Sequence, residues 1–217
     1  MSKIVIYLAN KNYSSWSMRP WLALKQTGAA FEEEVIPLDE PTTREEILKR
    51  SPSGKLPALK DGDTLVWDSL AIGEYLAERF PQSGLWPADP TARAYARSIS
   101  AEMHSGFMGV RLNMPMNMRA SKPGKGMGTG TQDDINRITV IWRTCRERYG
   151  KAGAFLFGAF SLADCMYAPI VSRFTTYQVK LDDVSEAYRQ AVFAHGPFQE
   201  WMAAAKNEPW IIPKYEI

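Results

Sequence analysis

The stretch Ser51-Pro52-Ser53-Gly54-Lys55-Leu56-Pro57-Ala58-Leu59-Lys60-Asp61-Gly62-Asp63-Thr64-Leu65-Val66-Trp67-Asp68-Ser69-Leu70-Ala71-Ile72 carries three signals in succession. Two short apolar runs, residues 56–59 and 64–67, flank Asp61-Gly62-Asp63 as the arms of a β-hairpin. Asp68 and Ser69 then offer helix-capping side chains, and the spacing of apolar residues predicts an amphipathic helix over 69–80. Pro57 stands at the start of the first hairpin strand, where it has no N–H to give a sheet ladder. A cis bond there would turn the chain sharply and point the Leu56 backbone groups outward, free to pair with an extended peptide-like ligand; an edge-strand proline is the plainer alternative.

Upstream, residues 3–9 (Lys-Ile-Val-Ile-Tyr-Leu-Ala) predict a buried strand and residues 10–15 a polar loop. Pro20 is tolerated within a first helical turn, so Ser17 is the expected N-cap of a helix running to about Thr27. Residues 31–38 predict a second strand and 43–50 a short charged helix. The order strand, helix, strand, helix, strand, strand, helix is that of an α/β thioredoxin-like domain, assigned to residues 1–80. Residues 81–90 hold three prolines and a glycine, and strand signals cease beyond them, so they are assigned as a linker. The rest, 91–217, is expected to be an all-α domain with helices near 91–118, 132–149, 162–177, 184–193 and 197–205. Within it, residues 121–131 contain four glycines and two lysines and predict a mobile loop. No strand precedes that loop and no Gly-Lys-Ser/Thr ends it, which argues against a phosphate cradle.

With 217 residues, 45% of them hydrophobic, the chain can build a substantial core, which excludes a disordered protein. Its 26 basic and 24 acidic residues are interspersed, leaving +2 and no electrostatic footprint for nucleic acid or an anionic membrane. A small-molecule partner is expected instead. The N-terminal apolar run is too short for a signal peptide, and no stretch approaches the ~18 apolar residues of a membrane span, so a cytoplasmic location is expected. Cys145 and Cys165 lie in helical patterns without C-x-x-C spacing and are read as core thiols. His104 and His195 are the only histidines and no ligands cluster, so no metal site is expected.

Two further segments carry chemistry. In Asn12-Tyr13-Ser14-Ser15-Trp16-Ser17-Met18-Arg19, hydroxyls gather where the first strand meets the first helix. Free N–H groups and the helix dipole favour an anion at such a place by roughly 0.3–1 kcal/mol. Asp68 and Ser69, at another helix start, suit the amino and carboxylate groups of a zwitterion. Simple helix capping accounts for either segment taken alone.

Taken together and in this order, the segments resemble the glutathione site of the soluble glutathione transferases over residues 4–80. Ser14-Ser15-Trp16-Ser17 with Arg19 is similar to the serine motif of the zeta class and zeta-like bacterial members. Gly54-Lys55-Leu56-Pro57-Ala58-Leu59 resembles the family's cis-proline segment, and Asp68-Ser69-Leu70-Ala71-Ile72 its glutamyl-binding segment. Ser161-Leu162-Ala163-Asp164, a capping-box variant, resembles a structural motif that opens a core helix, giving Asp164 a folding role. Trp16 stands where the zeta motif has cysteine, and Asp68 where that class has glutamine. Counting from the matching Pro169, the position of a zeta substrate-binding arginine is Thr176, with Arg173 one turn earlier.

The resemblance implies glutathione as co-substrate. Ser14, with Ser15 as understudy, would donate to its sulfur, and Leu56, beside Pro57, would pair its backbone with the cysteinyl unit. Asp68 and Ser69 would hold the glutamyl end, and Lys55 the glycyl carboxylate. The expected activity is conjugation of glutathione to a small hydrophobic electrophile, as in detoxification. Candidate residues of the second-substrate pocket are Tyr13, Met108, Arg111, Met114, Arg173 and Phe174. A maleylacetoacetate-type isomerase is the alternative, and a catalytically silent interaction module the third. Glu102, Met103 and His104 lie on the first helix of the second domain and could face the cleft or a partner subunit, with a solvated helical face as the plainer reading. A homodimer is expected, with the first helix after residue 90 packing across a two-fold axis.

Overall fold

The computed structural model describes residues 3–216. In β1 (Ile4–Leu8) the alternate residues Ile4, Ile6 and Leu8 are buried, as the two-residue period of a strand requires. β1 pairs in parallel with β2 (Phe31–Val35), the connection running through α1 (Ser15–Thr27). On its other side it pairs antiparallel with β3 (Ala58–Asp61), which turns at Gly62 into antiparallel β4 (Thr64–Trp67). The sheet order is β2-β1-β3-β4, and α2 (Thr43–Leu48) and α3 (Ser69–Arg79) complete the thioredoxin-like sequence of elements.

α1 starts earlier than the position of Pro20 suggests. Ser14 is extended and its Oγ accepts from the Ser17 N–H at 3.2 Å, so Ser14 and not Ser17 is the N-cap. Pro20 falls inside the helix, where its missing N–H deprives the Trp16 carbonyl of its usual helical donor. The buried stretch from Ser17 to Leu24 outweighs that loss: Met18, Trp21, Leu22 and Leu24 all enter the core.

The remaining helices are α4 (Pro90–Ser105), α5 (Met108–Asn113), α6 (Thr131–Arg148), α7 (Leu162–Thr176), α8 (Asp183–Ala194) and α9 (Gly196–Asn207). The single helix expected over 91–118 is broken. Phe107 adopts a left-handed φ of 61°, and the Arg111 side chain folds back to cap α4. Its Nε donates to the Gly106 carbonyl at 2.8 Å and its Nη2 to those of Met103 and His104. These are end-of-helix carbonyls with no intrahelical donor.

α7 is buried along all its residues from Leu162 to Phe174 and packs against α1, α4 and α8, with its Tyr167 and Phe174 rings against Trp142 of α6, so one hydrophobic core runs from the sheet into the helices. Its start carries the expected capping box. The Ser161 N–H and Oγ–H both donate to Asp164 at 2.8 Å, and the Leu156 N–H reaches the other oxygen at 3.0 Å. Cys145 and Cys165 are free and buried, and burial pushes the Cys145 thiol up to about 12.

Residues 121–131 are fastened rather than loose, contrary to the reading from glycine content. The Lys122 N–H donates to the Thr176 carbonyl at 2.7 Å and the Gly124 N–H to that of Tyr177 at 3.2 Å. Gly109 of α5 meets this segment so closely that a Cβ there would lie 2.4 Å from the Gly130 carbonyl carbon. Beyond α9 the chain returns to the start of α1. The Glu208 carboxylate accepts from the Lys11 and Asn12 N–H groups at 2.6 and 2.9 Å, and the Tyr13 hydroxyl donates to Glu216 at 2.5 Å.

Candidate active site

The turn before β3 and the start of α3 converge on one cleft. The Leu56-Pro57 peptide bond is cis, and Lys55, Leu56 and Pro57 form one wall with Ser53. The cleft holds about 440 Å³ and is completed by Trp16, Trp67, Asp68 and His104. A larger hollow of about 630 Å³ lies between Thr27–Glu32 and Arg79–Phe80, away from all of these residues.

Asp68 and Ser69 divide the work at the start of α3. Asp68, at φ 77°, caps the helix: its Oδ1 accepts from the Leu70 and Ala71 N–H groups at 2.9 and 3.2 Å. Its Oδ2 faces His104 Nε2 at 3.1 Å. Burial holds His104 below the ordinary imidazole range, against the pull of Asp68. The Ser69 hydroxyl is buried and has no hydrogen-bond partner among the described residues. A buried unpaired hydroxyl is costly, and at a helix N-terminus it suits a carboxylate.

The two serines at the start of α1 are both buried beside Trp16 but are bonded differently. Ser14 Oγ accepts from Ser17 N–H and donates to Ser17 Oγ at 2.9 Å, and Ser17 Oγ also takes the Ala9 N–H of the chain leaving β1. Ser15 Oγ instead accepts from Arg173 Nη2 at 3.3 Å. The other arms of Arg173 are held by the carbonyls of Met114 at 2.8 Å and Pro169 at 3.3 Å.

Three buried or half-buried guanidinium groups gather behind the cleft wall. Arg19, one turn after Ser15, is fully buried, and none of its three side-chain nitrogens has a hydrogen-bond partner among the described residues. Its Cζ lies 4.5 Å from the Trp16 ring centre, and that of Arg111 lies 4.7 Å from the same ring. Burial first, then repulsion by Arg111 and Arg173, drives Arg19 well below the ordinary arginine range. Burial followed by Arg111 lowers Arg173 to about 9.

The residues expected at a second-substrate pocket do not assemble as a set. Arg111 and Arg173 join the cationic cluster. Phe174 goes to the core against Trp142, with ring centres 5.6 Å apart, and Met114 is buried with its carbonyl holding Arg173. Tyr13 is buried under the returning C-terminal segment, its hydroxyl bonded to Glu216 and Arg119. Met108 is exposed at the start of α5. Thr176 donates to the Asn117 carbonyl at 3.0 Å.

Of the three residues 102–104, only Glu102 faces outward, to Arg137; Met103 is buried in the core, against the solvated-face reading, and His104 takes the alternative and lines the cleft. The available signal was spacing, since Ala96 and Ser100 are buried and His104 continues their row at the next turn.

Comparison with known proteins agrees with this geometry. Residues 13–79 match the family model described as glutathione S-transferase, N-terminal domain. A probable maleylacetoacetate isomerase of Caenorhabditis elegans is 32% identical over 150 residues, 69% of each chain. A stringent starvation protein A homolog of Pasteurella multocida (strain Pm70) is 27% identical over 192 residues, 86% of this chain and 85% of the relative. Among solved structures, a glutathione transferase homolog from Burkholderia with bound glutathione superimposes with a TM-score of 0.72 at 23% identity, covering 95% of this chain and 100% of the other. A bacterial zeta-class maleyl pyruvate isomerase gives 0.72 at 22% identity, covering 94% and 99%. With the thioredoxin-like sheet, the cis-proline wall and these relatives in hand, the chain belongs to the glutathione transferase family.

Proposed function

We propose that this protein is a glutathione transferase that binds glutathione in the Lys55–Asp68 cleft, ionises its thiol at the start of α1 and delivers the sulfur to a small electrophile. The observation that carries the reading is the cleft itself: Lys55, Leu56, Pro57 and Asp68 line it together, with the Ser69 hydroxyl buried at the start of α3 and without a partner among the described residues. Ser69 and the α3 N-terminus suit the glutamyl carboxylate, Asp68 its amino group, the Leu56 backbone the cysteinyl unit, and Lys55 the glycyl carboxylate. The Burkholderia homolog carries bound glutathione on the same fold.

An ordinary thiol with pKa near ~8.5 is about 3% ionised at neutral pH. Lowering that pKa by about two units takes ~2.7 kcal/mol of preferential anion stabilisation. One hydroxyl donor to a charged sulfur, roughly 1.5–3 kcal/mol, with the α1 N-terminus, is of the right size. The thiolate then attacks an electrophilic carbon and either displaces a leaving group or adds to an activated double bond.

A second reading is favoured by the isomerase relatives: glutathione adds to a conjugated carbonyl, permits bond rotation and leaves unchanged. Against it, Thr176 holds the place of the zeta arginine and is engaged with the Asn117 carbonyl. A screen of electrophiles that follows both adduct and free thiol separates the two, since only conjugation consumes glutathione. Failure to bind immobilised glutathione would instead support a silent interaction module.

A cytoplasmic detoxification role and a homodimer built across α4 are part of the same proposal. No helix among the described residues is long and apolar enough to cross a membrane. Sedimentation at micromolar concentration is expected to show a dimer, and a monomer would overturn that assignment.

A further inference from the structure

We propose that the hollow between the chain at 118–121, the end of α7 and the α8–α9 corner is a second small-molecule site, and that it takes a carboxylate carrying a compact apolar body. The hollow holds about 350 Å³ and shares no lining residue with the Lys55–Asp68 cleft, so its ligand is independent of the glutathione reading.

Three side chains make the polar end of the hollow. Ser172, on α7, is 3% exposed and borders the hollow, and its hydroxyl makes no hydrogen bond among the described residues. A serine or threonine inside a helix ordinarily donates to the carbonyl four residues back, as Thr175 does to Val171 at 2.8 Å. Ser172 makes no such bond, and its proton is left for an incoming acceptor, which would recover the cost of burying it.

Arg119 lies in the wall and is held rigid by neutral groups. Its Nη1 donates to the Glu208 carbonyl at 2.7 Å, and its Nη2 to the Trp210 carbonyl at 2.8 Å and the Tyr13 hydroxyl at 2.9 Å. Its Nε has no acceptor among the described residues. The Glu208 carboxylate is taken up by the Lys11 and Asn12 N–H groups, and that of Glu216 by the Tyr13 hydroxyl and Asn117, so neither binds the guanidinium directly. Lys206, near the end of α9, is exposed and makes no ion pair among the described residues.

The lining thus holds two cationic side chains and no acidic one, which sets the sign of the ligand. The C-terminus of α7 would oppose an anion, but its last carbonyls are covered. Thr175 accepts from the Gln178 N–H at 3.3 Å, Thr176 from that of Lys122 at 2.7 Å, and Tyr177 from that of Gly124 at 3.2 Å. Opposite the polar end, Met118, Phe193 and Met202 present apolar surface that a bare hydrated ion cannot use. The volume is at the lower end of small-molecule pockets, roughly 300–1,000 Å³, so the apolar body is one ring or a short branched chain.

The test is calorimetric titration with 3-phenylpropanoate, its neutral amide, acetate and inorganic phosphate, using wild type, Ser172→Ala and Lys206→Met. In wild type 3-phenylpropanoate is expected to bind with a Kd of a few millimolar or tighter, roughly what so small a ligand can reach. The amide, acetate and phosphate should each bind at least about tenfold more weakly, and saturating glutathione should leave the Kd of 3-phenylpropanoate unchanged. Ser172→Ala removes one hydrogen bond to a charged group and is expected to weaken 3-phenylpropanoate about tenfold, with Tm at or above that of wild type. Lys206→Met, at an exposed position, should weaken it about threefold. Arg79→Met, beside the separate larger hollow, should leave binding as in wild type. No binding at about 20 mM, or an unchanged Kd in both Ser172→Ala and Lys206→Met, overturns the site. Equal affinity for the amide overturns the recognition of charge, and equal affinity for acetate or phosphate overturns the apolar half. Displacement by glutathione would put the ligand in the cleft, and loss of binding in Arg79→Met would put it in the larger hollow; either overturns the assignment.

Discussion

Ser69 is buried at the start of α3 with a hydroxyl that has no partner among the described residues, so its side chain contributes little to the folded protein and much to a carboxylate ligand. Ser69→Ala is therefore expected to leave Tm at or above that of wild type and to weaken glutathione about tenfold to a hundredfold, the loss of one hydrogen bond to a charged group. A marked fall in Tm with unchanged glutathione affinity would show that Ser69 serves the fold. At this scale the sequence displayed what local motifs display. Asp68, Ser69, Leu56 and Lys55 could be nominated because each stands beside a turn or cap that announces itself in the chain. Helical spacing could place His104, but its pairing with Asp68 and the crowding of Arg19 by Arg111 and Arg173 could not be read there, because those contacts form only through tertiary packing.

At the scale of elements, the strands and helices of the sheet half were legible, because hydrophobic period and turn residues agree there. The errors came where side chains overrule propensity. Pro20 is a helix-breaking signal, yet burial of Met18, Trp21 and Leu22 and the Ser14 cap carry α1 through it. Arg111 ends α4 by collecting its last carbonyls, an interaction no periodicity reveals. The start of α7 follows its sequence motif, and it carries a pH dependence. Burial pushes the Asp164 carboxyl up to about 6, above the 3.8 of the free side chain. A carboxyl raised on folding contributes its stability fully below its unfolded pKa and loses it as pH rises through the folded one. The Tm advantage of wild type over Asp164→Asn is thus expected to shrink between pH ~4 and pH ~7. An advantage that grows over that range would show the ionised form to be the stabilising one.

Across the whole molecule, the serine loop is set by parts of the chain far from it in sequence. Glu208 takes the Lys11 and Asn12 N–H groups, Arg119 and Glu216 hold the Tyr13 hydroxyl, and α7 delivers Arg173 to Ser15. These closures explain why Tyr13, a reasonable pocket residue by position, is walled off. The continuous core also holds both cysteines, with Cys145 and Cys165 pushed toward the neutral thiol by burial. Reducing agents are expected to leave thermal stability unchanged, and a clear loss on reduction would reveal a disulfide that the fold does not contain. The central claim, that the cleft grips glutathione with its glutamyl end at Asp68 and Ser69, is tested most directly by calorimetric titration of wild type with glutathione and with cysteinylglycine, which lacks that end. Glutathione is expected to bind and cysteinylglycine to bind at least about tenfold more weakly, the worth of roughly one charge-assisted hydrogen bond. Equal affinity for the two, or none for either, would contradict it.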